Sequence, residues 1–358
     1  MGKINRLIFL TSGSDFHAKD WYDAVNELIN VDVILDSVNP HGLKNYFKNV
    51  NFKKLFIIDF LLGSRQFYFS DKLRNIIKMI FLPIQSIILK IKSNKKDIYW
   101  CHGVYFGLVC KIANVNYVVT PQGSEVLVRP YKNRIYKFFL QWTLSGADLV
   151  TVDSESMKKS LKNIGIKSEI IQNGIEIRNL SRIKIKKEKN TILSVRGCTK
   201  LYRIKNIAIQ SLKIKNKYKV DYCFPFFNID YLNDIKKYVD KKNILGVLSN
   251  KDYHKILSKY EYVISIPKSD SSPKSIYEAI FLGCKIIAQK NSKWINECTN
   301  EMKKRIIEVD LNNENWLKDA IQISSKYKNN FHPNVNTINL FSREKNILKF
   351  LKLINYDM

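Results

Sequence analysis

Glycine is scarce in this chain, at 13 of 358 residues, and proline scarcer still at 8. Lysine, isoleucine and asparagine are used heavily in their place, a bias of the kind AT-rich coding produces. No fixed-period repeat is present, which excludes a solenoid. Cysteines occur at 101, 110, 198, 223, 284 and 298. None forms a C-x-x-C pair and their spacing fits no zinc framework. Cys101, Cys110 and Cys284 lie in apolar runs and read as small buried hydrophobes. The N-terminal "MGKINRLIFLTSGSD" has too short an apolar part, and no small-residue cleavage site, for a secretory signal. A reducing, cytoplasmic setting is therefore expected.

Acidic residues are also under-represented. There are 60 Lys and Arg against 32 Asp and Glu, a net charge of +28. The excess is no tail: residues 1–175 carry +10 and residues 176–358 carry +18. Such charge suits nucleic acid, an anionic membrane surface or phosphate-bearing substrates. No helix-turn-helix, RNP-type aromatic strand or zinc finger accompanies it, which argues against nucleic acid. The length implies two domains of average size, and 45% hydrophobic with 26% charged residues suits a globular protein.

Short apolar runs ending in turn residues alternate with helical patterns. "RLIFLTSG" (6–13), "VDVILD", "KLFIIDFLL" (54–62), "DIYWCHG" (97–103), "YVVTPQG" (117–123) and "DLVTVDS" (148–154) read as strands, and "DWYDAVNELIN" as a helix. Strands alternating with helices imply a parallel sheet with crossover connections, whose ligands bind at the strands' carboxyl ends. Those ends carry Gly13, His102, Gln122 and Ser154. A polar, basic stretch (176–190) interrupts the rhythm, which restarts with "TILSVRG" (191–197) and runs to a helical pattern at Leu340, Ile347, Phe350, Leu351 and Ile354. The expected architecture is α/β: domain 1–175, linker 176–190, domain 191–339, and a C-terminal helix (340–358) returning to the first domain. The ligand is expected in the cleft between the two.

The stretch "IPKSDSSPKSIYEAIFLGCKIIAQ" (266–289) reads as strand, small polar loop, helix, Gly stop, strand. Ser272 is placed to cap the helix and Pro273 to begin it. Its first N–H groups then face a small-residue loop, a setting that attracts phosphate. The helix is apolar on most sides yet carries Glu278, eight positions after Asp270. A buried carboxylate without partners costs several kcal/mol, roughly, and sugar hydroxyls are suitable donors. The plain alternative is a solvated Glu on a surface helix.

This paired-acid stretch resembles the retaining GT-B glycosyltransferases of glycosyltransferase family 4, with Asp where the family has Glu at the first acid. "ADLVTVDSESMKKSLKNIGIKSEIIQNGIEI" (147–177) is similar to the end of the family's first domain, and "ILSVRGCTKLYRIKN" (192–206) to the opening of its second. The resemblance implies GT-B architecture, with two Rossmann-like domains facing each other across a cleft. It implies a nucleotide-sugar donor, Glu278 on the ribose, Asp270 on the donor sugar, and Arg196 with Lys200 or Lys205 on the diphosphate. Ser271 and Ser272 would add backbone N–H groups. It further implies retention, with the leaving phosphate helping to deprotonate the acceptor. Gln122 stands where the family often has His, and Asn206 where it commonly has Gly. No D-x-D occurs, so no divalent metal or other cofactor is expected. A nucleotide-sugar epimerase and a non-catalytic binding protein of the same shape are the alternatives.

Cleft candidates on the acceptor side are Gly13, His17, His102, Gln122 and Glu125, although His17 reads sooner as a surface-loop residue and His102 equally as packing or a backbone bond. His254 and His332 read as bystanders in polar surroundings. Two segments are both basic and apolar: 72–96, interrupted by Lys78, Pro83 and Gln85, and 131–144, with Ile135, Phe138, Phe139 and Trp142 on one face. Each either packs on the first sheet or lies in a membrane interface. The expected partners are a nucleotide sugar, a glycan or lipid-linked glycan acceptor, and the anionic inner face of the cytoplasmic membrane, with the protein peripheral to it. The expected setting is bacterial surface polysaccharide (O-antigen, capsule or lipopolysaccharide) synthesis.

Overall fold

The computed structural model describes residues 6–13, 15–37, 46–55, 71–327 and 331–356. The chain divides into two compact units, Met1–Gln172 with Glu344–Met358, and Asn173–Arg343. Each is built on one parallel sheet. In the first, β1 (Arg6–Thr11), β2 (Asp32–Leu35), β3 (Lys53–Lys54), β4 (Asp97–His102), β5 (Tyr117–Thr120), β6 (Leu149–Val152) and β7 (Glu169–Ile170) are ordered β3-β2-β1-β4-β5-β6-β7. In the second, β8 (Glu188–Ser194), β9 (Lys219–Cys223), β10 (Ile244–Gly246), β11 (Tyr260–Ser265), β12 (Lys285–Gln289) and β13 (Ile306–Val309) are ordered β10-β9-β8-β11-β12-β13. The 54–62 strand expectation falls, from residue 56 on, outside the described residues.

Central strands are buried on both faces, so they read as unbroken apolar runs rather than alternating ones. Leu7 and Phe9 enter the core on one face of the first sheet, Ile8 and Leu10 the core on the other. The C-terminal helix Arg343–Leu353 sends Ile347, Phe350 and Leu351 into the former. There Phe350 lies 4.3 Å from Trp100, ring to ring, and Lys349 Nζ donates to the Ile170 carbonyl at 2.8 Å. The helical pattern expected from residue 340 is two helices, Val335–Phe341 and Arg343–Leu353. Phe341 is buried and Leu340 is exposed, the reverse of the amphipathic reading.

The stretch 176–190 is part of the second unit. It forms the helix Ile177–Ser181 and the start of β8. A bridge from Ile175 to Ser342 and an ion pair from Arg343 Nη1 to Glu176 (3.0 Å) hold its beginning. All six cysteines are buried and unpaired.

Both sheets reverse their winding once, between β1 and β4 and between β8 and β11. Connections leave such a point to opposite sides of the sheet and open a crevice at the carboxyl ends. Asp15 follows β1 and His102 ends β4; Arg196 and Asp270 follow β8 and β11.

Candidate active site

In the second unit, register pairing of Ser194 with Ile264 brings the loop after β8 beside the loop after β11. Arg196 Nη2 donates to Asp270 Oδ2, and its Nη1 donates to Ser275 Oγ at 2.8 Å. The guanidinium lies 4.8 Å from the Tyr202 ring centroid. Its Nε is buried without a hydrogen-bond partner, as is the Ser272 hydroxyl. Two residues 74 apart in sequence thus form one charged pair.

The helix after this loop is Lys274–Phe281. It begins one residue later than the sequence suggests. Pro273 occupies the capping position and no side chain caps the helix, so Ser272 is not the cap. Lys274 N–H is spent on the Ser272 carbonyl at 3.0 Å. Glu278 is 6% exposed, which discards the surface-helix alternative. Its Oε1 lies 3.3 Å from His254 Nε2, so His254 is no bystander. Tyr253 beside it reaches the Ser275 carbonyl at 3.4 Å. Burial, chiefly, with Glu278 nearby, pushes the Tyr253 hydroxyl well up, so it stays protonated. His332 is exposed.

The two lysines expected at a diphosphate separate. Lys200 is exposed on a short 3-10 turn, Lys200–Tyr202. Lys205 pairs with Asp234 at 2.9 Å and lies 5.2 Å from the Tyr238 ring centroid. The bond to Asp234 holds its ammonium protonated to higher pH than usual. Lys205 therefore reaches a phosphate only by leaving that carboxylate. Arg203, which periodicity did not single out, adopts φ +52° and donates to the Ile266 and Pro267 carbonyls and to Gln289 Oε1. It ties the loop carrying Lys200 to the ends of β11 and β12.

In the first unit, Asp15 caps the helix Phe16–Asn26 through Ala18 N–H. Its Oδ2 also accepts from Gln122 Nε2 (2.9 Å) and faces His102 Nδ1 at 3.2 Å. Burial raises the Asp15 carboxyl, but His102 and the Ala18 bond outweigh it and hold it at about 2. The sequence reading missed Asp15, a loop residue without periodicity. Gly13 binds the Ser37 carbonyl at 2.7 Å. His17 is exposed on the helix, next to this cluster in sequence. Glu125 is not presented to a substrate. Its carboxylate accepts from Gln122 N (2.9 Å) and Val104 N (3.1 Å), closing a capping box. Burial, partly countered by these bonds, raises its carboxyl. Its oxygens sit 3.7 and 3.8 Å from where a Cβ on Gly103 (φ +109°) would be, so it is a brace for the turn after β4.

Residues 13–179 match the sequence profile of Glycosyltransferase Family 4. No curated protein sequence matches the chain. Among solved structures, sucrose-phosphate synthase of Thermosynechococcus elongatus matches with a TM-score of 0.73 at 12% identity, over 98% of both chains. HepE of Anabaena in complex with UDP matches at 0.69 and 10%, over 98% of this chain and 99% of its own. The lipopolysaccharide outer core galactosyltransferase WaaB, in apo form, matches at 0.64 and 14%, again over 98% and 99%. At such identities the likeness establishes the fold, two parallel-sheet domains of GT-B type. With the Family 4 match in the first unit, it supports a glycosyltransferase enzyme.

Proposed function

We propose that this protein transfers a sugar from a nucleotide-sugar donor to a glycan or lipid-linked glycan, with retention of configuration, at an anionic membrane surface. The observation that carries the donor reading is Glu278. It is a nearly buried carboxylate with one oxygen 3.3 Å from His254 Nε2 and with no side-chain hydrogen bond to any described residue. A carboxylate has about four acceptor sites, and ribose hydroxyls fill the vacant ones. Asp270 binds donor-sugar hydroxyls and steadies positive charge on the ring. Arg196, with Lys200, offsets the charge developing on the diphosphate, and the loop at Ser271 and Ser272 adds backbone donors. The leaving phosphate takes the acceptor proton. HepE, also solved with UDP and glucose, supports a nucleotide-sugar donor on this fold.

The membrane reading rests on exposed apolar stripes. Helix Asp71–Lys92 runs through Pro83 and is apolar on two sides. Leu82 and Leu89 face the core, while Ile76, Ile80, Ile84, Ile87 and Ile91 are exposed, Ile91 to 78%. Helix Arg134–Ser145 exposes Ile135, Phe138 and Trp142. Both helices pack against helix Val104–Ala113, which exposes Ile112. Among the described residues no helix is long and apolar enough to cross a membrane. An apolar surface beside Lys132, Arg134 and Lys137 suits the interface of an anionic bilayer. We place the activity in bacterial surface polysaccharide synthesis on this ground.

The test is incubation with a panel of radiolabelled nucleotide sugars. Slow hydrolysis of one donor without acceptor, abolished in Glu278→Gln, supports the transferase. Interconversion of sugars would indicate an epimerase instead. Proton NMR of the glycosylated product reads the anomeric configuration, and inversion refutes retention.

A further inference from the structure

Glu278 and its neighbour belong to different elements. Glu278 sits on helix Lys274–Phe281, and His254 on helix Asn250–Leu257, which Ser249 caps. The two side chains are 8% and 13% exposed. The free Oε2 of Glu278 is not among the sealed, unpartnered buried atoms of the described residues, unlike Oδ1 of Asp36 or Asp221, so it is open to a ligand from outside. Here Oε1 lies within ion-pair distance of His254 Nε2, at 3.3 Å. The His254 imidazole makes no other ion pair with a described residue. Adjacent to it, Tyr253 reaches the carbonyl of Ser275, whose hydroxyl accepts from Arg196. Consecutive side chains of one helix therefore brace the two turns of another that carry Ser275 and Glu278.

We propose that His254 is a positioning residue of the nucleoside subsite: its Nε2 holds one oxygen of the Glu278 carboxylate so that the other is presented to the vicinal hydroxyls of a ribose. The inference rests on the donor reading given above. In the tautomer with Nε2 protonated, the imidazole donates to the carboxylate and fixes its rotamer. A carboxylate already fixed in place loses less entropy when it captures a diol. Removing the imidazole leaves the Glu278 side chain free to change rotamer, and hydroxyl recognition weakens while diphosphate recognition by Arg196 persists.

That separation defines the experiment. Calorimetric titrations with UDP, ADP and GDP, each beside its 2′-deoxy counterpart, give a ribose discrimination ratio for the nucleotide that binds best. Discrimination of roughly tenfold is expected for the wild type, the scale of one charge-assisted hydrogen bond. Glu278→Gln should collapse it. His254→Ala should shrink it severalfold, with the 2′-deoxy affinity nearly unchanged. His254→Gln, whose amide N–H can occupy the position of Nε2–H, should restore it. A general loss of folding would lower both affinities together and leave the ratio intact. If His254→Ala retains wild-type discrimination while Glu278→Gln loses it, the inference is overturned and the donor reading stands. If Glu278→Gln also retains it, or if no diphosphate binds the wild type, the donor reading falls and the inference with it.

Discussion

Replacing Lys78 by Met probes a buried charge that local pattern conceals. Asp36 follows β2 and is completely buried, and the Lys78 ammonium, from helix Asp71–Lys92, reaches its Oδ2 at 2.9 Å. The other oxygen, Oδ1, already lacks a partner. The lysine also lies 4.8 Å from the Tyr105 ring centroid and 5.6 Å from that of Phe106. Methionine preserves most of the stem packing, so the loss isolates the charge. Stranding a buried carboxylate costs about 3–5 kcal/mol. In a unit of this size each kcal/mol moves the midpoint by about 2–4 °C, so a fall of about 10 °C is expected. Thermal unfolding followed by circular dichroism measures the shift, and urea unfolding the free-energy cost. Adding Asp36→Asn should recover much of the loss, since the pair is coupled. A cost for Lys78→Met below about 1 kcal/mol would refute the buried-pair account. The result also decides how membrane binding is tested: Lys78 must stay, because its loss damages the sheet rather than the surface.

Membrane attachment should therefore be read with Lys132, Arg134 and Lys137 changed to Glu, and separately with Ile80, Ile87 and Phe138 changed to Asn. Co-sedimentation with anionic vesicles should weaken in both, in the first by about 1 kcal/mol per basic residue removed, and should fade with salt; equal binding to neutral vesicles defeats the electrostatic reading. Turnover should survive EDTA, on the strength of the missing D-x-D, and rescue of a chelated enzyme by magnesium or manganese refutes that. Asp15, held at about 2 against an ordinary 3.8, adds roughly 2 kcal/mol of stability. That contribution is present above pH 3.8 and is lost as pH falls through about 2. Asp15→Asn should remove this acid limb from a stability–pH curve, and an unchanged limb would show that Asp15 is not responsible.

The sequence by itself determined the α/β rhythm. Strands such as "RLIFLT" and "EYVIS" have apolar centres because both faces of each sheet are covered, and turn residues close them locally. It also determined that Glu278 is anomalous, since a carboxylate within an apolar helix stands out without any structure. Partnership was decided elsewhere. Arg196 meets Asp270 because β8 and β11 are neighbours across the winding reversal, and strand order is not written in local periodicity. His254 meets Glu278 because two helices of one unit approach. The same geometry committed Lys205 to Asp234 and Glu125 to a turn. For helix Asp71–Lys92, apolar residues on two sides left its inward face undetermined. Only packing assigned Leu82 and Leu89 to the core and Ile80, Ile87 and Ile91 to the outside, because burial belongs to the contacts a residue finds and not to its own polarity.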